Sequence, residues 1–208
     1  MERRFGDLHD WAHAGRLGNL VTVNSTELPD IAVAAGERVR VRLLNVANAQ
    51  IFGVAPVGAE TFVIAEDGDP VPPRPLAEGS AAVLGPGQRA DLVVDVPALA
   101  PGAAIPLMAW TMTGEGTIAR LVAREAQAAP KGLAGTPVAP LEPNVRAEPD
   151  LSAACRIELV MEGGAMSMMR GAMHGGRMMG MREMMRSGRV WSFNGVAGDM
   201  DAPLARVE

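Results

Sequence analysis

Residues 84–95 read LGPGQRADLVVD, and this stretch decides the fold. Pro86-Gly87 is a turn signal, and the apolar residues from Leu92 to Val96 then recur at every second position. Successive side chains of a strand point to opposite faces. The pattern therefore predicts a strand with one buried face that is entered through a turn.

The same alternation, with turn residues between the runs, recurs on both sides of this stretch. The runs are Val39 to Leu43, Phe62 to Ile64 before Asp67-Gly68, Ile105 to Ala109, and Ile118 to Val122. Short strands at a spacing of roughly ten residues, separated by Gly and Pro, are typical of an all-β sandwich or barrel. The sequence therefore predicts an all-β domain over residues 18–125.

The composition changes after this domain. Residues 126–150 are rich in Pro and Ala, which indicates an extended linker. Apolar residues alternate again from Cys155 to Met161, so Cys155 is expected in a buried strand. Residues 189–195 indicate a further strand that runs into a turn. Because so few strands would leave unpaired edges, residues 151–208 are expected to be a truncated, partial second β-domain.

Composition and charge exclude several classes of function. The net charge is −5 and there is no Tyr, which argues against a basic footprint or a stacking platform for nucleic acid. No apolar run is long enough to span a bilayer, and the first residues do not form an export signal. A single cysteine excludes an internal disulfide framework and a Cys-rich zinc site.

Three blocks of sequence, in this order, resemble multicopper oxidases, the family of laccases and cuprous oxidases. The blocks are residues 16–24 with 35–49, residues 63–68 with 84–95, and residues 193–205. The second block is the most specific, because Asp67-Gly68 is followed by Pro-Gly-Gln-Arg-Ala-Asp at residues 86–91.

The resemblance implies a cupredoxin-like Greek-key β-sandwich and a domain order. Residues 1–17 would be an interdomain linker and residues 18–125 the second domain of the family. Residues 126–150 would link it to residues 151–208, the start of the third domain.

The resemblance also implies copper chemistry that this chain cannot complete alone. In the family, a type-1 copper held by two His and a Cys takes electrons from the substrate. A trinuclear cluster held by His-x-His pairs then reduces O₂ to water. The chain has three histidines, and Cys155 has no neighbouring His, so neither site is expected here. The implied parent is a periplasmic oxidase of Cu(I) or small phenolic substrates, with these ligands in missing first and third domains.

Residues 165–186 form a Met-rich segment that holds nine of the 14 methionines. The thioether is a soft donor that favours Cu(I). In periplasmic cuprous oxidases a Met-rich insert precedes the Asn-Gly block, as it does here, so the resemblance implies a Cu(I)-collecting role. The candidate ligands are Met166, Met168, Met169, Met173, His174, Met178, Met179, Met181, Met184 and Met185.

The spacing of these methionines predicts two short helices separated by Gly175-Gly176. The two helical stripes are Met166, Met169 and Met173, then Met178, Met181 and Met185. The alternative is that flexible methionines only fill an irregular cover over the domain.

Two further sites and two further functions stay open. His9 and His13 are four residues apart and on a helix would share a face, as a metal pair could, although a plain linker is the simpler interpretation. Asp199 could join a copper site, or could be an exposed carboxylate in a turn. The alternatives to an oxidase fragment are a non-catalytic β-domain that sequesters Cu(I), and a truncated reading frame without function.

Overall fold

The computed structural model describes residues 10, 12–13, 15–124, 133–164 and 171–198. The chain divides into two compact units. One unit spans Gly18–Val145, and the other combines residues 1–17 with residues 146–208.

Nine strands form the Gly18–Val145 unit. They are β1 (Asp30–Val33), β2 (Arg38–Leu44), β3 (Phe52–Pro56), β4 (Glu60–Glu66), β5 (Asp69–Pro75), β6 (Ala82–Leu84), β7 (Arg89–Asp95), β8 (Ala104–Thr111) and β9 (Gly114–Ala123). One sheet has the order β1-β9-β8-β3-β6, and the other has the order β2-β7-β4-β5. β1 runs parallel to β9, and the other pairs are antiparallel.

Apolar residues of both sheets pack into one core between them, with Leu92 of β7 and Leu121 of β9 among the most deeply buried. Two packed, mainly antiparallel sheets with alternating inward residues make a β-sandwich. The structure therefore confirms the cupredoxin-like, all-β fold class, and each strand expected from alternation within residues 18–125 is present. Residues 15–124, all of which are described, contain no helix.

β7 is buried on both of its faces. Leu92 and Val94 point into the core, whereas Asp91 and Asp95 lie on the outer face. The guanidinium of Arg38 donates two hydrogen bonds to the Asp95 carboxylate, at 2.5 and 2.7 Å. Burial of a carboxylate is tolerated because the paired charge and its hydrogen bonds replace water. These bonds hold the pKa of Asp95 below its usual range.

Residues 133–145 are the last part of this unit and contain no helix or strand. Hydrogen bonds near both of their ends hold them against the strands. Asp95 accepts the backbone N–H of Gly135 at 2.9 Å, and Arg38 donates to the carbonyl of Thr136 at 2.7 Å. Near the other end, Asn144 donates to the carbonyl of Gly68 at 2.9 Å. Since residues 126–132 lie outside the described residues, the linker boundaries stay a prediction.

The second unit contains short elements. They are β10 (Met161–Gly163), β11 (Gly171–His174), β12 (Arg177–Gly180), α1 (Met181–Ser187) and β13 (Trp191–Phe193). β10 pairs with β13, and β11 pairs with β12, both antiparallel. The sequence predicted a short Met-rich helical segment beside the β-strands, and α1 is such a helix. Within the described part of the chain, no helix is long and apolar enough to cross a bilayer.

Cys155 corrects one expectation. It is exposed, and the strand that the alternation predicted begins only at Met161. The preceding backbone is held by Asn194 instead of a strand. The Asn194 side chain accepts from the N–H of Val160 at 2.8 Å and donates to the carbonyl of Glu158 at 3.0 Å, and its backbone N–H donates to the carbonyl of Val160 at 2.9 Å. Without a paired strand beside it in the described structure, the alternating segment has no face to bury.

Candidate functional site

The structure describes part of the Met-rich segment. Met166, Met168 and Met169 lie outside the described residues, as do His9 and Asp199. The other candidates lie in the unit that contains β10 to β13. They are His13, which is exposed in a turn, and Met173, His174, Met178, Met179, Met181, Met184 and Met185.

A β-hairpin occupies the place where the two helices were expected to meet. β11 and β12 are joined by Gly175-Gly176, which have φ angles of 57° and 77°. Two positive φ angles at the centre of a two-residue loop are the type I′ turn, whose twist matches that of the flanking strands. The prediction of two helices is therefore wrong: residues 171–180 are a hairpin, and one helix, α1, follows.

The hairpin separates its methionines by face. Ala172 pairs with Met179 and Met173 pairs with Met178. Because successive residues of a strand point to opposite faces, the two pairs lie on opposite sides. Ala172 and Met179 are buried, whereas Met173 is 36% exposed and Met178 is 63% exposed.

Helix α1 covers the buried face of the hairpin. Met184 is 0% exposed and packs in one cluster with Ala172, Met179 and Ala197. Met181 and Met185, four residues apart on the helix, are both exposed. The described methionines of the Met-rich segment therefore form three groups: a core pair (Met179 and Met184), a hairpin pair (Met173 and Met178) and a helix pair (Met181 and Met185).

An ion pair joins the hairpin to helix α1 on the hairpin face that the helix covers. Arg177 of β12 donates two hydrogen bonds to the carboxylate of Glu183 in α1, one of them at 3.0 Å. These bonds lower the pKa of Glu183 and raise that of Arg177. Both charged side chains therefore lie on the helix-covered face, away from the hairpin pair.

His174 also points away from the hairpin pair. Its position in β11 places it on the face of Ala172, and its Nδ1 lies 3.0 Å from the carbonyl oxygen of Ala197. Since a carbonyl oxygen only accepts, a hydrogen bond here requires a proton on Nδ1. The structure does not bring His174 together with Met173 and Met178.

Backbone pairing extends the hairpin pair into a longer row of apolar side chains. Met161 pairs with Phe193, Phe193 with Val196, Val196 with Met173, and Met173 with Met178. Directly paired residues project from the same face of a sheet. The row, with Met161 59% and Val196 42% exposed, was missed by sequence reasoning.

One sequence signal could have found this row. Asn194-Gly195 has φ angles of 49° and 75°, and the N–H of Phe193 donates to the carbonyl of Val196 at 2.9 Å. Asn-Gly is a preferred dipeptide of the type I′ hairpin turn. A hairpin turn at Asn194-Gly195 places Val196 beside Phe193.

Solved structures provide the comparison that decides the family. No protein-family model and no curated protein matches the chain. A multicopper oxidase from Pseudomonas thermotolerans is 37% identical over 74% of this chain, with a TM-score of 0.58. The chain belongs to the multicopper oxidase family.

Other multicopper oxidases agree with this assignment. The laccase-like multicopper oxidase CueO from Ochrobactrum sp. is 30% identical over 70% of the chain, with a TM-score of 0.50. A variant of McoA from Aquifex aeolicus, at 21% identity and a TM-score of 0.51, shares the fold. The chain spans 34% of the Pseudomonas structure's chain and 30% of the Ochrobactrum structure's chain.

Multicopper oxidases use copper cofactors, but the described residues do not fit one. Among them, no group of three or more His, Cys, Asp and Glu side chains could hold a metal ion. Cys155 is exposed, without the two histidines that a type-1 copper needs. No step of catalysis can therefore be assigned to the described side chains.

The Gly18–Val145 unit of this multicopper oxidase chain has a cavity of about 500 Å³ with a mainly apolar lining. It lies between residues 20–25, the end of β2 in one sheet, and residues of the other sheet such as Phe52 and Leu84. Among the described residues that line it, Arg42 is the only ionisable one. A pair of titratable groups for acid–base chemistry is therefore not found among these lining residues.

Proposed function

We propose that the chain is the second cupredoxin domain and the start of the third domain of a copper-dependent oxidase, and that its Met-rich segment collects Cu(I) for oxidation. Four Cu(I) ions would give four electrons to one O₂, which takes up four protons and forms two water molecules. Small phenolic compounds are the other candidate substrates. The first and third cupredoxin domains, which would carry the catalytic copper ligands, are the partners of this chain in the whole enzyme.

The division of the methionines is the observation that carries this proposal. A small unit uses two methionines, Met179 and Met184, as core. The hairpin pair and the helix pair project from its surface. Exposed apolar side chains contribute little to folding, whereas exposed thioethers are available to a soft ion. Thioether sulfur atoms are ligands that prefer soft ions with one positive charge, such as Cu(I).

Location follows from the same proposal. We place the whole enzyme in the periplasm, because the cuprous oxidases that the chain resembles are periplasmic.

Three experiments test the proposal. Sequencing the flanking DNA is expected to show His-x-His pairs upstream and a His-Cys-His motif downstream, and an intact gene that encodes neither contradicts an oxidase. Anaerobic competition with a chromophoric Cu(I) chelator is expected to show that the 208-residue chain binds Cu(I). An oxygen electrode is expected to show no O₂ consumption by this chain alone.

A second function is favoured by the lack of a catalytic metal cluster among the described residues. The chain would then sequester Cu(I) without turnover. A gene without the flanking motifs, whose product still binds Cu(I), would support sequestration instead of oxidation.

A further inference from the structure

We propose that residues 136–144 form a rigid strut in the polyproline II conformation, clamped at both ends across the outer face of the β2-β7-β4-β5 sheet. The chain then leaves the sandwich unit at Val145 and not at the end of β9. This inference concerns the scaffold and does not depend on the copper chemistry of the chain.

The sequence of the strut restricts its own backbone. Proline recurs at every third position, at Pro137, Pro140 and Pro143. Proline fixes its φ at about −65°, and the residue before a proline is kept in the extended or polyproline II region. Six of the nine residues from 136 to 144 are prolines or precede one, and none of the nine has a positive φ. The polyproline II conformation, with three residues per turn, satisfies all of these restrictions.

The near clamp is a buried ion pair of the sheet. The side chains of Arg38 and Asp95 are 11% and 6% exposed. The Asp95 carboxylate accepts the backbone N–H of Gly135 at 2.9 Å, and the Arg38 guanidinium donates to the carbonyl of Thr136 at 2.7 Å. Hydrogen bonds to ionised groups are roughly twice as strong as neutral ones, so the strut begins at a fixed point.

The far clamp lies where β4 turns into β5. The side-chain amide of Asn144 donates to the carbonyl of Gly68 at 2.9 Å and to the carboxylate of Asp69 at 2.7 Å. Both acceptors belong to the sheet that also contains the near clamp. The strut is therefore held at its two ends by one sheet.

The distance between the clamps requires an extended strut. Glu60, the first residue of β4, lies opposite Asp95, so the strut has to cover the length of β4, about 20 Å for a strand of seven residues. From Gly135 to Asn144 an α-helix would rise only about 14 Å. The polyproline II conformation rises about 28 Å over the same residues, which is enough to pass β4 and reach the turn that follows it.

One side of the strut is less exposed than the others. Val138 and Leu141 are half-buried, whereas the other residues from 135 to 145 are exposed. These two residues are three apart, so in a helix of three residues per turn they project from one side. Gly135 and Asn144, which bond at the two clamps, continue the same period of three. The spacing of the contacts therefore matches the conformation that the prolines impose.

The outer face of the sheet carries apolar side chains that the strut can cover. Val93 of β7 pairs with Phe62 of β4 on this face. Val93 is 7% exposed, although the core cluster between the two sheets does not include it. Its burial comes from the outer side, which the strut crosses between its clamps.

The strut determines where the chain becomes free of the sandwich unit. Val145 is 103% exposed, residues 146–150 are exposed as well, and the division between the two units falls between Val145 and Arg146. With Asn144 clamped, the freedom of this part of the linker is confined to the residues that follow it. The strut thereby fixes the point on the sandwich from which the chain continues to the next unit.

The test measures backbone ¹⁵N order parameters of the full 208-residue chain by NMR relaxation. A clamped strut is expected to give values of about 0.85 at Val138 and Glu142, as in rigid backbone, whereas Ala147 and Glu148 are expected below about 0.6. Equal order parameters on the two sides of Val145 in the parent chain overturn the inference.

A double variant separates the clamps from the prolines as the cause of rigidity. Asn144→Ala/Leu141→Ser removes the far clamp and one apolar contact and keeps all three prolines. The order parameters of Ala139 and Glu142 are expected to fall below about 0.6, while those of the nine sandwich strands stay unchanged and report that the variant is folded. The matched control Asn48→Ala makes the same amide-to-methyl change at an exposed position of the same unit and is expected to leave the strut rigid.

Two outcomes of the variants contradict the inference. Unchanged strut values in the double variant mean that the prolines alone stiffen the segment and that the clamps hold nothing. An equal fall in Asn48→Ala means that the loss of order is not specific to the clamp.

Discussion

Met184 and Met185 are neighbours in sequence and have opposite environments, so they provide a sharp test of which methionines are core. Met184 is 0% exposed, and Met185 is 38% exposed. Met184→Ala removes three side-chain atoms from a cluster whose other members include Ala172 and Ala197, which are too short to fill the space. Large-to-small changes of buried methionine typically cost about 2–5 kcal/mol, and we expect about 3 kcal/mol here.

Met185→Ala is the matched control. It removes the same atoms from the surface of the same helix, and Ala has a slightly better helix propensity. The expected change in the free energy of unfolding is within about 0.5 kcal/mol.

Amide hydrogen exchange across residues 171–198 measures the difference locally. A loss of about 3 kcal/mol raises the exchange rate of the protected amides of this unit roughly a hundredfold. Met185→Ala is expected to leave those rates almost unchanged. Equal effects of the two substitutions, or no effect of Met184→Ala, would refute the assignment of Met184 to the core.

Three further outcomes concern the scaffold. Asp95→Asn removes the carboxylate that Arg38 binds, and urea denaturation is expected to show a loss of about 3 kcal/mol at pH 7. Because the folded pKa of Asp95 is lowered, its stabilisation is present above pH about 4 and disappears as the pH falls further, so the parent and the variant should converge in acid. Gly164→Ala places a methyl group 2.4 Å from the ring of Trp191 at a φ of +71°; a loss of roughly 1–3 kcal/mol is expected, measured by hydrogen exchange of the second unit. Leu92→Ala opens a cavity in the sandwich core and is expected to lower stability by about 2–5 kcal/mol in thermal unfolding.

Much of the sandwich could be predicted from the sequence because its strands are half-buried. Arg38 to Leu44 alternates charged and apolar residues, and the structure places those residues on the outer and inner faces of β2. β5 gave no such signal, since four of its seven residues are Pro. Pro cannot donate to a ladder, and β5 tolerates it because it lies at the edge of its sheet. β6 is only three residues long, too short for a period to be recognised.

The Met-rich segment shows why spacing alone misleads. The i, i+3, i+7 stripe through Met178, Met181 and Met185 is interrupted in the structure, because Met178 is in a strand and the other two are in α1. With methionine at so many positions, a helical stripe and a strand alternation both find matches. The Gly175-Gly176 dipeptide is the feature that selects the hairpin, because it accepts the two positive φ angles of its turn.

The chemical class of the proposed site followed from composition, whereas the environment of each methionine did not. Nine thioethers within a short segment are soft donors, so composition alone was enough to propose a soft ion. Met178 and Met179 are adjacent in sequence, but Met179 is buried and Met178 is exposed. This difference depends on the register of β12 with β11 and on the helix that covers one face of the hairpin. Those are tertiary features, which a stripe drawn on the sequence cannot show.

The central claim is that methionine sulfur of this chain holds Cu(I), and the copper K-edge X-ray absorption spectrum of the Cu(I)-loaded, 208-residue chain tests it most directly. We expect that copper stays with the chain through anaerobic gel filtration and that its nearest scatterers are sulfur atoms. Copper surrounded by nitrogen and oxygen atoms, or copper that separates from the chain on the column, would contradict it.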